Sequence, residues 1–241
     1  MSVFVAEELS EVLNTKVVIG RINMGLLNRI IIDDVLLDDQ SGQEMLKVTR
    51  LSAKFDIMPF FKGKISISSV QLFGFNINLR KETPDSPPNF KFVLDAFASK
   101  DTVKKENSLD LRINSILIRR GRMSYHVLSE EETPGKFNAK HIQLQNIIAN
   151  ISLKALSKDS LNLGIKRLSL DEKASGFSLK KMSLKLVANN KQTNIDNFTI
   201  ELPETSLKLD TIHLEYDSLK AFDRFTEQVH FSFRTLPSQV T

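Results

Sequence analysis

A short pattern of apolar and polar residues recurs along this chain and limits the folds open to it. In residues 64–80, KISISSVQLFGFNINLR, apolar and polar side chains alternate, as they do on a β-strand with one dry face and one wet face. The alternation slips at Ser68-Ser69, and apolar positions resume at Val70 and Leu72. The resulting unit is apolar–x–apolar, two polar residues, then apolar–x–apolar.

The same unit returns through most of the sequence with a period of roughly 13 to 21 residues, which indicates a stacked or extended architecture. We therefore predict a mostly β fold, built as a long curved or folded sheet, groove-like, with bulged strands paired to their sequence neighbours. The polar pairs that interrupt the other strand patterns are Gly20-Arg21, Asp33-Asp34, Thr49-Arg50, Asn114-Ser115, Gln145-Asn146, Lys166-Arg167, Lys180-Lys181, Asp196-Asn197 and Asp210-Thr211.

The polar pairs have two structural interpretations. A step of three residues turns a flat strand over, so one dry face is kept only if the strand bulges or bends at the pair. Alternatively, a pair forms a two-residue hairpin loop, for which Asn114-Ser115 and Asp196-Asn197 are suitable. Lys166-Arg167, Lys180-Lys181 and Thr49-Arg50 are poorly suited to the positive φ angles of such loops, so we favour bulges there.

Two helices are expected beside the strands. Apolar residues at helical spacing predict a helix from Val3 to Asn14. Prolines interrupt the strand series after residue 82, and Asn89 is expected to cap a short helix that ends near Ser99. The predicted organisation is an N-terminal helix, 1–14, and an elongated β-groove domain, 15–241, with a proline-rich and helical insertion at 82–107. The stretch 217–228 has an ambiguous pattern that is also compatible with a helix.

Two helices are too few to cover the predicted sheet. Roughly ten strands at a spacing of about 4.8 Å make a sheet about 50 Å wide, whereas two helices shield about 20 Å. The remaining dry face is covered either by the sheet itself, as in a closed sandwich, or by a partner. Its residues are mainly aliphatic, with phenylalanine as the main aromatic, which suits lipid acyl chains. The expected apolar groove lining is Phe55, Ile57, Ile65, Ile67, Val70, Leu72, Phe75, Ile77, Ile113 and Ile116.

Composition and charge narrow the function further. The net charge of +4 is mildly basic, but no aromatic residues are interleaved with the dispersed cations, so nucleic-acid binding is disfavoured. The absence of cysteine excludes disulfides, thiolate metal sites and cysteine catalysis. No apolar run has the roughly 18 residues of a membrane span, and no signal peptide is visible at residues 1–14. We expect the sequence to be a truncated form of a longer protein.

No catalytic or metal-binding constellation stands out. His126, His141, His213 and His230 lack metal-ligand spacing. Neighbouring strands could bring two of them together, but no partner carboxylate is indicated for a metal site. Neighbouring carboxylates such as Asp33-Asp34 point to opposite faces of a strand, which disfavours acid–base pairs. No phosphate-binding glycine loop or nucleophile elbow is present. We therefore expect no enzyme activity, no metal and no cofactor.

An ordered series of segments carries a family resemblance. Its parts are the helix leading into 15–22, NRIIIDDV at 28–35, LSAK at 51–54, GKISI at 63–67, PPNF at 87–90 and LDLRINS at 109–115. In this order the chain resembles the N-terminal periplasmic region of the TamB/AsmA-like superfamily in its Bacteroidota form. The resemblance covers residues 3–127, and only the strand pattern continues to the end.

The resemblance implies a periplasmic protein anchored in the inner membrane by a helix before Val3. Members of the superfamily are similar to bridge-like lipid-transfer proteins, in which a long apolar β-groove guides phospholipid acyl chains between membranes. They are also linked to outer-membrane assembly alongside an outer-membrane barrel partner. Two alternatives stay open: a scaffold or chaperone module for outer-membrane or secreted β-proteins, and a sealed structural domain without a ligand.

Overall fold

The computed structural model of this chain describes residues 2–26, 28–55, 67–98, 114–156 and 160–240. Its helices are α1 (Ser2–Leu13), α2 (Lys91–Ala98) and α3 (Phe225–Gln228), and a 3₁₀ helix spans Leu219–Arg224. The strands are β1 (Val17–Gly25), β2 (Arg29–Asp38), β3 (Glu44–Phe55), β4 (Ile67–Lys81), β5 (Ser115–Val127), β6 (His141–Leu156), β7 (Ser160–Glu172), β8 (Ser178–Asn189), β9 (Gln192–Glu201), β10 (Ser206–Tyr216) and β11 (Val229–Thr235). The prediction of a mostly β fold with an N-terminal helix and one short helix near 89–99 is confirmed.

The strands form one 11-stranded sheet in which the spatial order follows the sequence order from β1 to β11. The pairings within β1–β4 and within β8–β11 are antiparallel. Each strand thus lies beside its sequence neighbours, as the repeat predicted, because short connections favour this arrangement.

The slip at Ser68-Ser69 is a β-bulge. Lys54 of β3 faces Ser69, but the next residue, Phe55, faces Ile67, so Ser68 is the extra residue on β4. A bulge of this kind shifts the side-chain alternation by one residue. Ile67, Val70 and Leu72 therefore point to the same face of the sheet. Their partners across β3, on that same face, are Phe55, Ala53 and Leu51.

The pairing register of β1–β4 is interrupted a second time. The interruption falls at the polar pairs of the first three strands and at Gly74 on β4. The register omits Gly20, Asp34, Thr49 and Gly74, and it resumes on both sides of them. Asp34 and Gly74 have positive φ angles, 56° and 64°. The pairs therefore bend the strands here, whereas the bend at Gly74 was not predicted.

The hairpin-loop interpretation is wrong for Asp196-Asn197. The pair lies inside β9, where Asn197 has a φ of 53° and the register with β8 shifts. Opposite this pair, the register of β8 breaks between Ser183 and Lys185, so the extra residue is on β9. The bulge at Lys180-Lys181 stays a prediction, since the register with β9 begins at Lys181. The described part of β7 has no positive-φ residue at Lys166-Arg167.

Helix α2 is confirmed, but Asn89 does not cap it as predicted. The Asn89 side chain accepts from the Arg80 backbone N–H at 3.0 Å and donates to Asp39 at 3.2 Å and to the Asn78 carbonyl at 3.0 Å. It joins the end of β4 to the β2–β3 turn, and the helix begins at Lys91, two residues later. This connection places α2 over the first strands of the sheet.

The chain divides into two compact units. The first comprises Met1–Leu111, Ile118–Ile147 and Asp171–Phe177, and its core packs α1 and α2 on β1–β3 around Ala6, Leu13, Val17, Ile19 and Leu37.

The second unit comprises Arg112–Leu117, Ile148–Leu170 and Ser178–Thr241, with a small core of Tyr216, Ala221 and Val229. The stretch with the ambiguous pattern, 217–228, is helical from Leu219 to Gln228, as expected for one of its two interpretations.

Candidate functional site

The first four strands of the first unit carry rows of apolar residues aligned across the sheet. Residues that face each other on neighbouring strands point to the same side, so each row lies on one face. We call these rows together the apolar face: Val17–Leu37–Leu46–Ile77, Ile19–Val35–Val48–Phe75, Ile22–Ile32–Leu51–Leu72, Met24–Ile30–Ala53–Val70 and Phe55–Ile67.

The bends keep these rows on one face. Ile19 and Ile22 are three residues apart, which on a flat strand would place them on opposite sides. Both nevertheless pack in the same core cluster as α1 and α2, and so does Ile32, the partner of Ile22. The bend between the rows is therefore the structural reason for the three-residue step in the sequence.

The opposite face of β1–β4 is largely polar beside the bend. Its row is Arg21, Asp33, Arg50 and Phe73. Asp33 is buried and bonds Arg50 Nε at 2.6 Å, and Arg21 lies 4.0 Å away. The hydrogen bond from Arg50 is the largest contribution to the pKa of Asp33, and it lowers that pKa despite the opposing effect of burial.

The helices cover one end of the apolar face. Val5 of α1 and Phe90, Phe92, Val93 and Ala96 in and before α2 pack against the cluster that includes Val17 and Ile19. Towards the other end, Leu51, Ala53, Phe55, Ile67, Val70 and Leu72 are half-buried, and Met24 is 78% exposed. We call these seven residues the open end of the apolar face.

The expected groove lining is partly assembled on this face. Phe55, Ile67, Val70, Leu72 and Ile77 are half-buried members of the rows.

Phe75 is also in a row but is buried, with 7% exposure. Ile116 is half-buried in β5, within the second unit, and Ile57, Ile65 and Ile113 lie outside the described residues. The partners on β1 and β2, such as Ile22 and Ile32, were missed as lining residues, although their three-residue steps were visible in the repeat.

Burial within the described residues is shallow for so much apolar surface. None of the large side chains there is less than 2% exposed. A core sealed between two layers normally buries several large aliphatic or aromatic side chains completely. Within the described residues, the apolar face is therefore covered only in part.

A cavity of about 460 Å³ lies beside the bend of β3 and β4. Phe75 lines it together with three cationic residues, Lys47, Arg120 and Arg122. Asn146 also lines it and donates to the Asp171 carboxylate at 2.8 Å. Lys47 pairs with Asn76, in the row next to Val48–Phe75, so these two side chains lie on the polar face of the sheet. The cavity is therefore a cationic one on the face opposite the apolar rows.

The structure corrects the expectation that the histidines are scattered without a carboxylate partner. His126 and His141 meet at 3.0 Å, and Glu132 lies within ion-pair distance of both. Their spacing of fifteen residues gave no metal signal, because the contact depends on the pairing of β5 with β6.

Comparison with known proteins does not assign the chain to a family. None of the helices in the described residues is long and apolar enough to cross a membrane. No protein-family model matches the chain, and no curated protein matches its sequence.

Proposed function

We propose that this chain is the periplasmic part of a bridge-like lipid-transfer and outer-membrane assembly protein of the TamB/AsmA-like type. In this proposal the apolar face guides phospholipid acyl chains between the inner and outer membranes. The full-length protein would be anchored to the inner membrane by a helix before Val3 and would work with an outer-membrane barrel partner. No catalytic step is required of it.

The apolar face is the observation that carries the proposal. Its rows run along β1–β4 without a charged residue, and its open end is only half-buried. A buried methylene is worth about 0.8 kcal/mol, so a sixteen-carbon chain faces roughly 13 kcal/mol when it enters water. A continuous aliphatic lining removes most of that barrier, because an acyl chain stays in contact with apolar side chains as it moves.

The test compares two single variants on the same strand. Leu72→Asp places a charge at the open end, and Gln71→Asp places it on the opposite face of β4, where Gln71 faces Ser52. Native mass spectrometry after incubation with phosphatidylglycerol vesicles measures bound phospholipid, and circular dichroism checks folding. We expect Leu72→Asp to reduce bound lipid several-fold and Gln71→Asp to retain it.

Equal phospholipid binding by both folded variants would contradict the proposal, as would a wild-type chain that binds none. If Leu72→Asp does not fold, Val70→Ser provides a milder change on the same face. Loss of folding in both variants, with lipid-free wild-type protein, would favour a sealed structural domain.

A second function is favoured by the aromatic residues of β11. This strand is last in the sheet order, and Phe231 and Phe233 on it are 56% and 57% exposed. Their rings are stacked, with centroids 6.3 Å apart, and Phe225 continues the series. A strand at the end of a sheet can pair with a strand of another protein, and exposed aromatic side chains would strengthen that pairing.

This second function is a scaffold or chaperone module for the assembly or secretion of outer-membrane β-barrel proteins. A photo-crosslinking residue at Ser232 of β11 would capture strands of nascent β-barrel proteins, and one at Gln71 in the first unit serves as the control. Crosslinks from Ser232 without lipid on the protein would favour this function over lipid transfer.

A further inference from the structure

Two histidines and a glutamate converge where β5 and β6 are joined. His126 is near the end of β5, and His141 is the first residue of β6. Their Nδ1 atoms are 3.0 Å apart, and Glu132 Oε1 lies 3.8 Å from the first and 4.0 Å from the second. The three ligand atoms all lie within 4.8 Å of one another.

The tautomer of His141 leaves a lone pair facing this point. Its Nε2 lies 2.9 Å from the carbonyl oxygen of Glu130. A carbonyl only accepts hydrogen bonds, so Nε2 carries the proton and Nδ1 is unprotonated in the neutral ring. Without a metal, His126 Nδ1–H donates to this lone pair; metal binding requires the His126 proton to move to its own Nε2. Metal-binding histidines commonly have this arrangement, in which the second nitrogen donates to a backbone carbonyl and fixes the ring orientation.

The distances are close to those of a tetrahedral site. Zinc–nitrogen bonds of about 2.0–2.1 Å at a tetrahedral angle place two nitrogens about 3.3 Å apart. The histidine nitrogens would separate by about 0.3 Å, and the Glu132 oxygen would approach them by about 0.5–0.7 Å. Its side chain is 63% exposed and lies in the connection after β5, whereas that of His141 is 8% exposed. A rigid histidine pair and an adjustable carboxylate thus face one point.

The surroundings leave room for a fourth ligand. A cavity of about 290 Å³ is lined by Glu132 and His141 together with Thr133, Asn138, Gln143 and Lys173. The neighbouring carboxylate of Glu130 is paired with Lys140 at 2.7 Å, so it does not compete for the metal. Lys173 is the cationic residue of the cavity lining.

We propose that His126, Glu132 and His141 form a Zn²⁺ site with an open fourth position. Two imidazole nitrogens and one carboxylate oxygen are ligands that zinc prefers, and three protein ligands with a free position are typical of accessible zinc sites. The metal would tie the connection between β5 and β6 to the sheet. This inference is independent of the proposed lipid function, since none of its residues belongs to the apolar face.

The test is Zn²⁺ binding to the chelator-treated chain. Isothermal titration calorimetry gives affinity and stoichiometry, and substitution with Co²⁺ gives a visible absorption spectrum that reports the coordination geometry. We expect one Zn²⁺ per chain, a tetrahedral Co²⁺ spectrum and a higher melting temperature with metal. Glu132→Gln and His126→Ala should each weaken Zn²⁺ binding at least about tenfold.

His230→Ala is the control, because this exposed histidine lies in the other unit. It should bind Zn²⁺ as the wild type does. Since Glu132 is exposed, Glu132→Gln is expected to fold even if variants at the histidines do not. The proposal is overturned if the wild type binds no stoichiometric Zn²⁺, or if Glu132→Gln binds it as tightly as the wild type; His126 and His141 would then form only a hydrogen-bonded pair.

Discussion

The ring of Phe75 lies against the backbone of Gly121. A Cβ atom at Gly121 would stand 2.4 Å from the Cε1 and Cζ atoms of Phe75 and 3.0 Å from the Cβ of Ile147. Both residues belong to the first unit, and both are buried. The glycine is therefore required by the space that the ring occupies, not by its backbone angles.

We expect Gly121→Ala to destabilise the chain by about 1–3 kcal/mol, because the added methyl group forces the buried ring out of its position. Chemical denaturation monitored by circular dichroism measures the change. In a Phe75→Leu background the same substitution should cost clearly less, since the smaller side chain leaves room. Equal costs in the two backgrounds would show that Phe75 does not restrict this site.

Gly74 is the residue at which β4 bends, and its replacement tests the bend. Its φ of 64° is left-handed, and a Cβ there would lie 2.6 Å from Thr49 Oγ1. A left-handed conformation costs a residue with a side chain roughly 1–2 kcal/mol. We therefore expect Gly74→Ala to lower the free energy of unfolding by at least that amount.

The Thr49→Ala background separates the two causes of this penalty. Without the Thr49 hydroxyl, the 2.6 Å contact is gone, a 3.1 Å contact with the Cβ of residue 49 stays, and the backbone angle is unchanged. The cost of Gly74→Ala should therefore persist at about 1–2 kcal/mol. A cost that disappears in this background would attribute the whole effect to the contact.

The architecture was predictable because the repeat is local. Each three-residue step marks a strand and its break, and most consecutive strands, with β4 and β5 as an exception, are joined by short connections. Gly74 was also within reach of sequence reasoning, since a glycine inside a strand pattern often marks a bulge. The break at Leu184 in β8 lies opposite Asn197 and Phe198 of β9, so it follows from the Asp196-Asn197 pair that the repeat marks.

The two candidate sites also differ in how far they can be predicted from the sequence. The apolar face follows from alternation along single strands, so Ile67, Val70 and Leu72 could be assigned to it before their partners were known. The contact of His126 with His141 depends on how residues 128–140 connect β5 to β6. No local pattern encodes that register, and the site therefore emerges only from the three-dimensional arrangement.

Tyr216 anchors the second unit through its hydroxyl group. The hydroxyl donates to the Asn189 carbonyl at 2.7 Å and accepts from Thr193 Oγ1 at 2.8 Å. Tyr216→Phe would leave both groups without this partner, at a cost of about 1–3 kcal/mol. Tyr125→Phe is the matched control in the first unit and should change the unfolding free energy little. Similar small losses for both variants would contradict the anchoring role.

The last prediction concerns Asp39, which joins the β2–β3 turn to β4. Its side chain is 2% exposed and lies 2.7 Å from Arg80 Nη2. Burial alone would raise the pKa of Asp39, but hydrogen bonds from Ser41, Asn89 and the Gln43 backbone N–H together lower it. A carboxylate with a lowered pKa in the folded state contributes stability above its unfolded pKa of about 3.9 and loses it as the pH falls further.

We therefore expect the free energy of unfolding to fall as the pH decreases from about 5 to 3, because the unfolded chain takes up protons there more readily than the folded chain. Urea denaturation across this range measures the slope. Asp39→Asn should destabilise the chain at pH 7 and flatten the slope, since the titrating group is gone. Asp85→Asn, at an exposed position of the following loop, should leave both unchanged. An unaltered slope in Asp39→Asn would assign the acid sensitivity to other carboxylates, among which Asp33 and Glu172 also have lowered pKa values.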